Sequence, residues 1–308
     1  MSKYRRRRYC RHSYRRPQMW TIVAAVLIAV ALYVVENYGG NGFVPSWDQI
    51  YQWVGLEPSQ SETTAPLPEG ETEVVFLDVG QGDAVLILQN GAACLIDAGP
   101  KDARQNLVQD LRSYGVSQLD LLVMTHPHAD HVGGMQAVLQ NFDVQTLLTP
   151  DLSETDVTGQ TQRTLQTAQE CGVPVETAYT GQQYTIGTGT LTVLLPGVDA
   201  DTAGSDDAIN DMSLCLRFEA GNFTFLDTGD AERNEEAALA EQYPFRLRST
   251  VFKAGHHGSS TSNTQTLLWQ VQPQLVVATM ITATPTARSS RKCRMRALTF
   301  TAPTCTAR

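Results

Sequence analysis

The chain has 308 residues, a hydrophobic share of 42% and a formal net charge of −9, which is enough apolar material for a sizeable core and excludes a wholly disordered polypeptide. The charge is unevenly placed: residues 1–19 carry eight Lys or Arg and no acid, whereas Glu36 to Met280 hold 9 basic against 32 acidic residues, a formal −23. Nucleic-acid affinity rests largely on Lys and Arg neutralising phosphates, so this composition argues against an extended DNA track and leaves only local contact open.

In chain order, the basic stretch 1–19 is followed by an uncharged, largely apolar run, Trp20 to Val35. Sixteen residues at about 1.5 Å rise make roughly 24 Å of helix, short of a ~30 Å hydrocarbon core, though Met19 and snorkelling arginines extend it. We read 20–35 as a single transmembrane signal anchor with its N-terminus in the cytoplasm and the remainder outside. Cleavage near Ala29-Val30-Ala31, giving a secreted protein, is the alternative. Residues 36–70 are rich in Ser, Pro, Glu, Gly and Thr and read as a flexible extracellular linker.

A single folded domain is expected over 71–280. Strands are predicted near 74–79, 84–88 and 92–97, then a helix near 102–114 and a strand at Leu119–Met124. Val132-Gly133-Gly134-Met135 opens a predicted helix through Leu139, and another is predicted near 159–171. Later strands fall near 174–178, 190–195, 213–219 and 222–227, with further strand-like runs at Thr250–Ala254 and Leu275–Thr279. Mixed strand pairs with covering helices make an α/β organisation.

The chemistry concentrates at strand ends. His126-Pro127-His128-Ala129-Asp130-His131 sits between a strand and a helix, and a tight loop lets His126 and His128 point to one ion while Asp130 and His131 turn to a second. Two further strands end in Thr228-Gly229-Asp230 and Gly255-His256-His257-Gly258-Ser259. Five of the six histidines fall in these clusters. Imidazole nitrogen with carboxylate oxygen suits zinc, with manganese or iron as the oxygen share rises.

These residues, with Leu95-Ile96-Asp97-Ala98-Gly99, resemble the metallo-β-lactamase superfamily. Phe76-Leu77-Asp78-Val79-Gly80-Gln81-Gly82-Asp83-Ala84 and Asn210-Asp211-Met212-Ser213-Leu214 resemble, within it, the extracellular hydrolase domain of ComEC-type competence proteins. The resemblance implies a four-layer αββα sandwich with two divalent metal ions, zinc or alternatively manganese, at one edge. By carry-over, His126 and His128 bind the first ion, and Asp130, His131 and either His256 or His257 the second. Asp230 bridges both, and Asp97 orients the ligand loop from outside. Asp83, with Asp130 and Asp230, is assigned to catalysis, and Asp78 and Gln81 to the loop beside the site. Many superfamily members place a third histidine for the first ion near Asn210–Ser213; none stands here, leaving Asn210, Asp211 or water to complete that site and Ser213 to support it.

The implied activity is a metal-dependent hydrolase of phosphoesters, because paired dications ionise water without a side-chain nucleophile. Single-stranded DNA is one expected substrate, since the competence relatives are thought to degrade the strand that is not imported. A cell-wall or teichoic-acid phosphodiester is the alternative, and a degraded, non-catalytic binding module the third. DNA uptake by this chain alone is not expected, because the long multi-helix channel of those relatives is missing. Membrane attachment through the N-terminal helix is expected, and no specific protein partner is indicated.

Residues 281–308 break the pattern: six Lys or Arg, seven Thr and no acid follow a well-formed strand signal. A basic disordered tail is one explanation. We favour a reading-frame slip, because with allowed codons the neighbouring frame admits an N-x-Y-x-H-like loop, an amphipathic helix and a strand, an ending similar to the competence branch. The six cysteines form no readable disulfide framework; Cys94 and Cys215, inside apolar strands, are expected in the core.

Overall fold

Near-continuous burial along the central strands, whose successive side chains enter different apolar clusters, sets them in two sheets with a core between and a cover outside. The computed structural model describes residues 70–153, 158–195, 206–279 and 298–300, which belong to the second of two compact units, Thr63–Arg308. The predicted membrane span and most of the basic tail lie outside the described residues. Among the described residues no helix is long and apolar enough to cross a membrane.

The first half contains β1 (Thr72–Phe76), β2 (Val85–Gln89), β3 (Ala92–Ile96), α1 (Arg104–Ser113), β4 (Gln118–Leu119), β5 (Leu121–Val123), α2 (Ala129–Val132), α3 (Met135–Asn141), β6 (Asp143–Val144), β7 (Leu147–Thr149), α4 (Gly159–Glu170) and β8 (Val175–Thr177). The second contains β9 (Gln183–Ile186), β10 (Gly189–Leu195), α5 (Asp206–Asp211), β11 (Cys215–Ala220), β12 (Phe223–Asp227), α6 (Arg233–Gln242), β13 (Val251–Lys253), α7 (Gln265–Val271) and β14 (Leu275–Val277), followed by β15 (Leu298–Phe300). One sheet runs β15-β1-β2-β3-β5-β7-β8 and the other β14-β13-β12-β11-β10-β9. β3, β5, β7 and β8 are parallel, as are β12, β13 and β14, and the remaining pairs in both sheets are antiparallel.

Three apolar clusters define four layers. Leu86, Leu95 and Leu122 face outward onto Leu107 and Leu111 of α1 and Met135 and Val138 of α3. Their neighbours Val85, Ile87, Ile96 and Val123 point inward, against Val193, Leu216, Phe218, Phe225 and Val251 of the other sheet. That second sheet turns Cys215, Leu226 and Phe252 outward onto Leu239 of α6 and Leu267 and Val271 of α7. Strands apolar and buried on both faces require such a doubly covered arrangement. Cys94 and Cys215 are buried free thiols within it.

Departures from the predicted elements have local causes. The strand expected over 119–124 divides at Asp120, whose backbone N–H donates to Ala93 O (2.8 Å) and whose Oδ2 accepts from Ala93 N (2.8 Å). Leu119 then pairs with β6, and Leu121 enters the main sheet. The helix expected from Val132 begins at Ala129 and separates into α2 and α3 at Gly133-Gly134, where a Cβ on Gly134 would lie 2.2 Å from the Ala98 carbonyl oxygen. α6 escapes the apolar pattern because it buries Glu236, whose carboxylate accepts from the N–H groups of Asn263 (2.5 Å) and Thr264 (2.7 Å) at the start of α7. Within the basic tail, Leu298–Phe300 pairs antiparallel with β1 and covers that sheet edge, which otherwise presents unpaired backbone groups.

Candidate metal centre

The ends of β3, β5, β12 and β13, with the loop before β2, deliver side chains to one edge of the sandwich. Asp83, His131, Asp230 and His257 each offer a ligand atom there, all within 4.8 Å of one another. His131 Nε2 lies 3.2 Å from Asp230 Oδ2. His257 Nε2 lies 3.4 Å from the same oxygen and 3.3 Å from Asp130 Oδ2, while its Nδ1 is 3.5 Å from Asp83 Oδ1. His126 Nε2 stands 3.1 Å from His128 Nδ1 and 3.9 Å from Asp230 Oδ2. Asp230 thus touches imidazoles of both histidine clusters.

Each of these groups is held from behind. Asp97, at φ +57°, accepts from Thr125 N (2.9 Å) and Thr125 Oγ1 (2.6 Å), and it takes the Nδ1–H of His131 at 2.7 Å. That bond leaves His131 Nε2 facing Asp230, the arrangement by which a carboxylate orients a ligating imidazole. Ser213 Oγ accepts from Asp230 N at 2.9 Å. Asp83 is turned inward by Gly82, at φ +143°, where a Cβ would stand 2.2 Å from Asp130 O, a position open only to glycine. Gly99 N then donates to Asp83 O at 2.8 Å.

Other expected site residues are elsewhere. Asp78 is exposed and accepts from Gly80 N (3.3 Å), closing its own turn, and Gln81 lies exposed on the crest of that loop. Asn210 Nδ2 donates to Glu232 Oε1 (3.2 Å), leaving its Oδ1 buried without a hydrogen-bond partner among the described residues, and Asp211 Oδ1 accepts from Glu232 N (3.1 Å). Both therefore brace the chain just past Asp230. The paired histidines part company because His256 and His257 adopt φ +48° and +54°, left-handed angles uncommon outside glycine. Asn263 clamps this turn through both Gly255 N (2.9 Å) and Gly255 O (2.9 Å). His257 faces the cluster, and His256 faces away, with Nδ1 at 3.2 Å from both Glu232 Oε1 and Thr261 Oγ1. We expect His257→Ala to weaken cation binding by at least about 10²-fold and His256→Ala by less than about tenfold, measured by isothermal titration.

Two participants carry no motif in the sequence. Lys253, the last residue of β13, is wholly buried with Nζ 2.6 Å from Asp83 Oδ2. Asp227, the last residue of β12, places Oδ1 3.6 Å from the same ammonium and accepts from Gly229 N at 2.8 Å. Their only trace in the chain is a charged residue closing an otherwise apolar strand.

Charge compensation dominates the electrostatics. Burial opposes protonation of His131, but Asp230 and Asp97 overcome it and hold the imidazole well above its ordinary range. Burial likewise opposes His257, yet its hydrogen bonds to Asp130 and Asp83 and the charge of Asp230 push it up to about 9. His126, buried and beside His131, is pushed well below the ordinary value. Burial would raise Asp230, but His131 draws it well below the carboxylate range. Burial, only partly offset by Lys253, raises Asp227 to about 6.

The residues fit a divalent cation. Asp83, Asp97, Asp227 and Asp230 are buried, with Asp130 half-buried beside them, and the permanent positive charge they share is that of Lys253. His131 Nε2, His257 Nε2 and Asp83 Oδ1 are buried and meet other members of the cluster at 3.2–3.5 Å, and Asp230 Oδ1 is buried without a hydrogen-bond partner among the described residues. Such atoms are costly to leave unmatched, and a cation matches them together. The mixed nitrogen and oxygen donors suit zinc, manganese or iron.

The chain is similar in sequence to several known proteins. Residues 77–169 match the sequence model of the Metallo-beta-lactamase superfamily. The chain is 30% identical over 233 residues to ComE operon protein 3 of Bacillus subtilis, an alignment covering 69% of this chain and 29% of that protein. It is 33% identical over 215 residues to competence protein ComA of Neisseria gonorrhoeae, covering 69% and 27% respectively. The chain therefore spans less than a third of the length of these curated relatives. Among solved structures, the metallo-beta-lactamase fold protein YhfI of Bacillus subtilis aligns at 15% identity and a TM-score of 0.42, over 60% of this chain and 71% of that one.

Proposed function

We propose, for a chain that carries a metallo-beta-lactamase superfamily domain and is related to ComEC-type competence proteins, that it is a metal-dependent phosphodiesterase tethered outside the cell, with single-stranded DNA within its substrate class. One observation carries the hydrolase reading: buried imidazole and carboxylate atoms from both sheets meet within 4.8 Å, a mixed nitrogen and oxygen donor set of the kind that holds a divalent cation. The basic segment 1–19 followed by the apolar run 20–35 supports the tether.

His126, His128 and Asp230 would hold one cation, and Asp130, His131, His257 and Asp230 the other, with Asp83 adjoining. Bound cations would supply an acidified water and neutralise charge developing on the attacked phosphorus centre. Asp97 fixes the His131 ring, and Ser213 fixes the Asp230 backbone. Asp130, the most exposed of the clustered carboxylates with its side chain 32% accessible, stands at the rim where an incoming substrate would meet it. Ser213 Oγ already accepts from Asp230 N, and the buried thiol of Cys215 is held well above its ordinary range by burial, so neither is poised as a nucleophile.

The test is turnover of a bis-aryl phosphodiester and of labelled single-stranded DNA by the purified full-length protein with zinc or manganese. Activity on both, falling at least about 10²-fold in His128→Ala, is the expected result. Preference for choline-phosphate esters over DNA would move the substrate to a cell-wall polymer. Bound metal with turnover of none of these would replace the enzyme by a binding module.

A further inference from the structure

We propose that Lys253 is a positioning residue of the metal centre: a permanent internal cation that pins Asp83, from one sheet, to the Asp227–Gly229 turn of the other. The inference rests on reading the cluster as a metal centre, but it concerns how that centre is built and not what it hydrolyses. Lysine is almost never wholly buried unless paired, and here the ammonium is enclosed by three oxygens. Asp83 Oδ2 lies at 2.6 Å, Gly229 O at 3.1 Å and Asp227 Oδ1 at 3.6 Å.

The placement of these partners gives the lysine its role. Asp83 belongs to the loop before β2, whereas Lys253, Asp227 and Gly229 belong to β13 and the end of β12, so the ammonium spans the seam between the sheets. By occupying Asp83 Oδ2 it leaves Oδ1 directed at His257. Gly229 immediately precedes Asp230, and its carbonyl accepts from both Lys253 Nζ and His256 N (3.1 Å). One side chain therefore sets two carboxylates of the cluster, Asp83 by direct contact and Asp230 through the adjoining backbone.

The test measures affinity for Mn²⁺ and Zn²⁺ by chelator competition on the full-length protein, without substrate. Lys253→Met keeps the aliphatic stem and removes the charge; Lys253→Arg keeps the charge. Lys253→Met and Asp83→Asn should each weaken affinity by about tenfold or more, and the double variant should be no weaker than the worse single, because both changes break one linked unit. Lys253→Arg should restore affinity to within about threefold of the parent, since the charge and its carboxylate partners are retained. If Lys253→Met does not fold, Lys253→Met/Asp227→Asn, which removes one charge of each sign, takes its place under the same criteria. Parent-like affinity in the methionine variant, or losses that multiply in the double, would overturn the role of Lys253 while leaving the metal centre intact. A parent protein that binds neither metal would overturn both, and absence of phosphodiester turnover touches neither result.

Discussion

Asp230→Asn is expected to lower divalent-cation affinity and phosphodiester turnover by at least about 10²-fold each while the protein remains folded. Asp230 Oδ2 lies 3.2 Å from His131, 3.4 Å from His257 and 3.9 Å from His126. No other carboxylate among the described residues is placed against both the His126–His131 loop and His256–His257 turn at such distances while also being nearly fully buried. Asparagine preserves the side-chain shape and the backbone bond to Ser213, so the loss is of charge and ligand field and not of packing. It also removes one buried anion from a group of carboxylates that outnumbers its fixed cations, which limits the cost to the metal-free fold. Circular dichroism, titration calorimetry and steady-state kinetics on the same preparation check the three parts. Retained cation affinity in a folded Asp230→Asn protein would remove Asp230 from the centre of the site.

Without metal, thermal stability is expected to decline as pH rises from about 6.5 through about 9, and added divalent cation is expected to reverse the trend. The sign follows from the imidazoles. A histidine whose folded pKa is raised contributes stability that is fully present below its unfolded value and lost as pH climbs through the folded one. His257 is pushed up to about 9 from 6.5, and His131 moves in the same direction. The groups facing His257 are Asp83, Asp130 and Asp230, with His131 and Lys253 beyond them. For His257 alone the contribution is on the order of 3 kcal/mol at most, or roughly 6–12 °C in melting temperature for a domain of this size. The carboxylates act at the other end: Asp83, Asp130 and Asp230 are all drawn below their ordinary values, so their contribution is present above about pH 4 and lost as pH falls further. Ligating imidazoles must be unprotonated, so cation affinity should climb across the window in which the metal-free protein weakens. Melting curves from pH 5 to 10, with chelator and with Mn²⁺ or Zn²⁺, measure both arms. A flat chelator curve between 6.5 and 10 would show that these imidazoles are not held protonated by the cluster.

Much of the centre was legible because its ligands are contiguous or close a strand. His126, His128, Asp130 and His131 lie within six residues, and their convergence needs only a tight loop. Asp97 and Asp230 stand just past apolar strands, where a polar residue signals a functional end. The choice between His256 and His257 was not legible, since both follow the same strand and only the left-handed turn held by Asn263 separates them. Asp78, Gln81 and Asp83 share one short loop, and the positive φ of Gly82 decides that Asp83 alone enters the cluster. Asn210 Nδ2 and Asp211 Oδ1 both turn to Glu232, a pairing across more than twenty positions that no motif announces.

By itself, then, the amino-acid order determined the local matters: which residues have the chemistry to hold metal and where apolar strands alternate with helices, the layered sandwich being what the family resemblance implied. Those are properties of side-chain type and of spacings within a few residues. Only the tertiary structure decided which atoms meet. Asp83 and Lys253 are 170 positions apart, and neither the lysine's burial nor its pairing leaves a periodic signal. The pair exists because two sheets pack face to face with their strand ends meeting along one edge, and a buried ammonium must find carboxylates where water cannot reach it.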